Sequence, residues 1–162
     1  MATHSTQPAD SPESRLASLG LTLPNPARPV AAYVPTVRVG SLVFVSGQIP
    51  MREGKLIHSG IVGRDVTPDA ARECARQCTL NGLAAVKAEL GSLDRVARVV
   101  RLGVFVACEK GFHDQPAIAN GASELLVQVF GEAGRHARAA VGCSDLPLGA
   151  PVEVEFLFEA RA

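Results

Sequence analysis

Arg138 stands in His136-Ala137-Arg138-Ala139-Ala140-Val141-Gly142, a stretch that reads as a strand, so Ala140 and Gly142 share its face. An arginine flanked by residues with almost no side chain has free space beside a planar donor fork suited to a carboxylate. The plainer alternative is a surface arginine, or one paired with Glu153 or Glu155. Those two acids lie two residues apart on one strand face, where Glu153 can act as a base or position a water. A solvated acidic face is the competing reading. Tyr33, the only tyrosine, opens a strand behind a proline-rich approach, as a packing residue or as part of a pocket. Ser46-Gly47-Gln48 ends a strand, where glycine can bring backbone close to a ligand or simply make a turn. Cys74 and Cys78 are one helical turn apart, but within a small apolar stripe, so core packing is expected rather than a metal or redox pair. Cys143 reads as structural. His136, beside Arg135 and Arg138, reads as a solvated cationic corner. The sequence carries no phosphate-binding loop, no Gly-x-Gly-x-x-Gly, no His-Glu-x-x-His and no Gly-x-Ser-x-Gly.

The elements that must position these residues can be read from their punctuation. Ser11-Pro12-Glu13 followed by Gly20 predicts a short helix. Three prolines in Leu23–Pro29 predict an extended surface segment. Ala31–Arg38 and Leu42–Gln48 predict a hairpin, and Lys55–Ile57 a short third strand. Thr67-Pro68-Asp69 opens a helix that runs to Leu90 and stops at Gly91, with Ala71, Cys74, Ala75, Cys78, Gly82, Ala85 and Val86 on one stripe. Such small residues predict a helix lying close against a sheet. Val96–Cys108 predicts a central strand. A second helix starts at Asp114-Gln115-Pro116 and presents Ile118, Gly121, Ala122, Leu125 and Val129, with Gly131 and Gly134 ending it. Ala137–Cys143 and Val152–Glu159 predict two last strands. In the second of these, Val152, Val154, Phe156 and Phe158 oppose Glu153, Glu155 and Glu159. The expected class is α+β: a sheet with two right-handed crossover helices on one face. The other face has no helix left to cover it, and oligomerisation is a natural way to bury it.

Length and balance bound the rest. A chain of 162 residues is long enough for one domain with its own core. Sixteen Lys plus Arg offset sixteen Asp plus Glu, which leaves no basic field for phosphate backbones and makes nucleic acid an unfavoured partner. No apolar run approaches the roughly 20 residues of a membrane span. Residues 1–14 have no basic start or apolar region and read as a mobile polar tail rather than a secretory signal, leaving 15–162 as the single domain. Four cysteines without metal-ligand spacing suggest reduced thiols and a cytoplasmic protein.

Taken together, these segments resemble the RidA/YjgF family, once called L-PSP endoribonucleases. Val43-Phe-Val-Ser-Gly-Gln-Ile-Pro50 is similar to the family's hairpin strand. Ala137-Arg138-Ala-Ala-Val141, Leu146-Pro147 and Val152-Glu-Val-Glu155 resemble its C-terminal signature, with spacing that agrees without a gap. Leu21-Thr-Leu-Pro24, Asn120-Gly-Ala-Ser123 and the run from Phe130 to Arg138 resemble a divergent subgroup with an N-terminal extension. The resemblance implies a chorismate mutase-like fold of the trimeric type, β-α-β-α-β-β, with sites in clefts between the subunits of a homotrimer. It implies a 2-imino or enamine acid deaminase that turns imines such as 2-aminoacrylate or 2-iminobutanoate into 2-oxo acids and ammonia, without cofactor or metal. Carried over by motif, Arg138 holds the substrate carboxylate, Glu153 orients a water, and Tyr33 and the backbone at Gly47 complete the pocket. Asn120 matches an asparagine on the second helix. Ala140 departs from the pattern, since typical deaminases often carry Cys there. The alternatives are a non-catalytic trimeric module that binds a small carboxylate or a protein, and RNA cleavage, which the neutral charge and the lack of stacking aromatics disfavour.

Overall fold

The computed structural model describes residues 10–26 and 32–162. Helix α1 (Pro12–Ser18) begins inside the segment expected to be a mobile tail. Ser11 Oγ accepts from Ser14 N at 3.0 Å, Glu13 Oε1 accepts from Leu93 N at 3.0 Å, and Leu16 is buried. A polar composition concealed these ties; residues 1–9 lie outside the described residues.

The hairpin forms from β1 (Thr36–Val39) and β2 (Leu42–Gln48), joined at Gly40-Ser41 with Gly40 at φ +60°. The first strand is shorter than the Ala31–Arg38 expected. Ala31 falls outside the described residues, and residues 32–35 are not strand. Pro35 has no N–H to give a ladder, although its carbonyl accepts from Ser46 N at 3.0 Å. β3 (Met51–Arg52) and β4 (Lys55–Leu56) make a separate two-stranded ribbon, so the expected third strand does not join the main sheet.

Thr67 caps α2 (Pro68–Leu90), its Oγ1 accepting from Ala70 N at 3.2 Å, and Gly91 ends it at φ +85°. β5 (Val96–Ala107) leads into α3 (Gln115–Phe130), β6 (Ala137–Cys143) and finally β7 (Val152–Ala160). The sheet order is β1-β2-β7-β5-β6. Its pairs are antiparallel except β5 with β6, which α3 connects in parallel. β5 is interior, as expected of its valines, but β7 holds the centre.

Both long helices lie on one face, α2 against β2 and β7, α3 against β5 and β6. The small stripe of α2 explains how close it comes. A Cβ on Gly82 would stand 2.5 Å from the Phe156 ring, nearer than packed atoms sit. Gly121 on α3 allows the same approach to the Arg72 carbonyl of α2. Val152, Val154, Phe156 and Phe158 form the floor beneath the helices, all buried. On the other face Val37, Phe44 and Val141 remain 50%, 47% and 47% exposed.

Candidate active site

Arg138 pairs with Leu102 in the β5–β6 register, which turns its side chain to the helix-covered face at the sheet's edge. There its Nη1 donates to Asn120 Oδ1 at 2.8 Å and to Ser123 Oγ at 3.0 Å. Asn120 and Ser123 are three residues apart on α3 and so share a helix face. A guanidinium has five N–H groups, two of them on Nη1. Both are spent on α3. The edge formed by Nε and Nη2 is engaged by no other described residue and is the shape that grips a carboxylate in two parallel bonds. The alternative pairing of Arg138 with Glu153 or Glu155 does not occur among the described residues. Ala140 and Gly142 continue the same face, and a Cβ on Gly142 would meet Cys108 Sγ at 2.9 Å.

His136 is not the solvated corner expected of it. It is half-buried, with Nδ1 2.6 Å from the Gly134 carbonyl and Nε2 3.0 Å from Ser123 Oγ. Burial holds its pKa below the ordinary 6.5, and the Arg138 cation adds to the lowering, against the Gly134 bond.

Glu153 occupies the opposite face. It stands across from Phe105 on β5 and beside Gly47 of β2. The β2–β7 register shifts between Val45 and Gln48, the mark of a bulge. A Cβ on Gly47 would collide with Glu153 Oε1, so the missing side chain is what gives the carboxylate its place. Burial pushes the Glu153 pKa above 4.5, and the neighbouring Glu155 pushes the same way. Glu155 has its own cation, Arg101 at 3.2 Å. Among the described residues no ion pair or hydrogen bond reaches Glu153. A carboxyl whose pKa is pushed up by burial and a neighbouring acid is a better proton acceptor and holds its proton to higher pH than a free one, which suits general acid–base work. Tyr33 is 55% exposed on the segment before β1.

Apart from Tyr33, which joins neither, the sequence-predicted residues form two groups: Arg138 with Asn120, and Glu153 with Gly47. Their β5 partners, Leu102 and Phe105, are three positions apart, an odd step that places the groups on opposite sides of the sheet. One chain does not bring them together. Sequence reasoning passed over Ser123, although its spacing from Asn120 was a signal, and misjudged His136. Cys74 and Cys78 are fully buried core residues, as expected; burial pushes the Cys74 thiol up to about 12 and Cys78 upward too. Cys143 is partly buried, with its thiol also raised.

Residues 13–160 match the family described as "YjgF/chorismate mutase-like, putative endoribonuclease". A Trypanosoma cruzi relative named Protein TCP17 is 45% identical over 147 residues, covering 90% of this chain and 92% of that one. A Dermatophagoides farinae relative named 2-iminobutanoate/2-iminopropanoate deaminase is 30% identical over 135 residues, covering 83% and 91%. The crystal structure of Atu1372 from Agrobacterium tumefaciens, described there as of unknown function, superposes with a TM-score of 0.87 at 46% identity, over 95% of this chain and 94% of that one.

Proposed function

From the premise that this chain belongs to the YjgF/chorismate mutase-like (RidA) family, we propose that it hydrolyses 2-imino acids and their enamine tautomers to 2-oxo acids and ammonia. The observation that carries this reading is the Arg138 fork, anchored through Nη1 and open along Nε and Nη2. The named deaminase relative supports it. Fold alone does not, since one fold hosts several chemistries.

The reaction asks little beyond placement. The substrate carboxylate docks on the Arg138 edge, which fixes the imine carbon. Glu153 as carboxylate takes a proton from water as the oxygen attacks that carbon. As the neutral acid it returns that proton to nitrogen, which gives the carbinolamine. The carboxylate then takes the carbinolamine hydroxyl proton and passes it to the amino nitrogen, and ammonia leaves as the C–N bond breaks and the carbonyl of the 2-oxo acid forms. For an enamine, the protonated acid first delivers its proton to the β-carbon. Orientation and two proton transfers, carried in turn by one carboxyl, account for the step.

Because Arg138 and Glu153 lie on opposite faces, the proposed site is completed by a second copy that sets its Glu153 and Gly47 against this Arg138 and Asn120. A homotrimer closed over the uncovered sheet face supplies that geometry. The test generates 2-aminoacrylate and 2-iminobutanoate with a serine/threonine dehydratase and traps residual imine with semicarbazide. Wild type accelerates loss of imine, and Arg138→Ala loses at least about a hundredfold in kcat/KM. Arg138→Lys recovers little, because a point charge does not replace a fork. No acceleration by wild type, together with saturable binding of 2-oxobutanoate, would replace the enzyme with a carboxylate-binding module.

A further inference from the structure

We propose that His136 is a positioning residue which, through Ser123, holds the Arg138 guanidinium with its carboxylate-binding edge facing outward. The inference rests on the carboxylate-binding reading of Arg138 given above.

The polarity of the chain of hydrogen bonds follows from one fixed point. The Gly134 carbonyl only accepts, so His136 Nδ1, 2.6 Å away, carries the proton. In the neutral ring Nε2 is then an acceptor, and the contact to Ser123 Oγ at 3.0 Å is the serine hydroxyl donating to it. With its one proton committed to His136, Ser123 can offer Arg138 only a lone pair. That is what the Nη1–H at 3.0 Å requires. Asn120 Oδ1 accepts the second Nη1–H at 2.8 Å. Two acceptors from one turn of α3 set the plane of the guanidinium, and His136 selects the orientation of one of them.

Protonation of His136 reverses this polarity. Nε2 becomes a donor, Ser123 must accept from both neighbours, and two cations face each other across one oxygen. The groups around the imidazole leave no carboxylate to relieve that. Two residues on, at the start of β6, lies Arg138, and Arg135, just before the imidazole, is held on Glu132 at 3.0 Å. From α3 come the uncharged Asn120 and Ser123, while Glu124 is tied to Arg72 of α2. From β5, Arg98 donates to the Arg135 carbonyl at 3.3 Å. The lowered pKa of His136 fits this surrounding and keeps the acceptor form in place near neutrality.

The experiment measures 2-oxobutanoate binding by calorimetry from pH 5 to 8, with imidazole nitrogen spectra of His136 recorded on the same samples. Wild type shows the Nδ1–H tautomer, and its affinity falls about tenfold as His136 takes up a proton. His136→Gln, which keeps an acceptor but does not titrate, binds without that pH dependence. Ser123→Ala loses about tenfold at every pH. Retention of the pH dependence in His136→Gln, or an Nε2–H tautomer in wild type, would overturn the proposal. Failure of wild type to bind the ligand at any pH overturns the function proposed above instead. The nitrogen spectra then decide the positioning role: Ser123→Ala and Arg138→Ala each move the His136 resonances if the chain exists and leave them unmoved if it does not.

Discussion

Glu153 joins stability to function because its carboxyl is half-buried without a cation of its own. A carboxyl whose pKa is raised on folding binds protons more tightly in the folded chain than in the unfolded one. Its favourable contribution is complete below pH 4.5, the unfolded value, and is lost as pH rises through the elevated folded value. Glu153→Gln should therefore unfold at a higher temperature than wild type above that window and match it at lower pH, while losing imine hydrolysis throughout. Melting curves from pH 3.5 to 8 check the sign. An equal gain at every pH would mean that packing, not charge, sets the difference. Gly47→Ala should carry the same catalytic defect by another route, because its methyl takes the space of Glu153 Oε1. At this scale Arg138 was legible from the small residues that follow it on its face. The spacing of Ser123 from Asn120 was a signal as well, but its bond to His136 was not legible, because the two meet only when the chain turns back from α3 into β6, a closure that no short spacing records.

At the level of elements, the caps were the clearest text. Thr67 with Pro68 and the glycine at position 91 bound α2 where the sequence placed its ends. The face of that helix was legible as well, since its small stripe is what rests on β7. Gly82→Ala puts two effects in opposition. Helix propensity favours alanine by about 1 kcal/mol, while forcing a methyl against a packed ring costs about 1–3 kcal/mol. With only 2.5 Å to the Phe156 ring, the steric term wins and the variant should melt lower. Gly82→Ala combined with Phe156→Leu should regain most of the loss, and a double-mutant cycle measures the coupling. The edges of the fold were less legible. Pro35 cut short the first strand, and β3–β4 became a ribbon apart from the sheet, because β7 takes the place beside β2. A strand's partner is chosen by the whole sheet, not by its neighbour in the chain.

For the whole molecule, the uncovered face is the feature that most needs a partner. Val37 and Phe44 flank a cavity of about 310 Å³ that also touches Ser46, Arg101, Glu155 and Leu157. Phe44→Lys should shift the species seen by light scattering toward monomer while leaving the helical signal in place. Mixed assemblies test the composite site directly. Arg138→Ala and Glu153→Gln should each be inactive alone, but subunits unfolded and refolded together at equal ratio should recover about a quarter of wild-type activity if every site draws on two copies. No recovery would confine the chemistry to one chain, where the two groups stand on opposite faces. No helix among the described residues is long and apolar enough to cross a membrane.

The strand latest in the described chain is also the middle of the sheet. β2 and β5 touch each other only through β7, with pairings such as Val43 to Phe158 and Val104 to Val154. Until β7 inserts, the early hairpin and the β5–α3–β6 crossover are two fragments with exposed edges, and joining them closes long loops before any contact rewards it. Folding should therefore be slow and governed by β7. Val154→Ala should slow refolding in proportion to its destabilisation, whereas Leu16→Ala, on the docked α1, should mainly hasten unfolding. The same interval, with apolar strand edges unpaired, is when the chain is most open to aggregation.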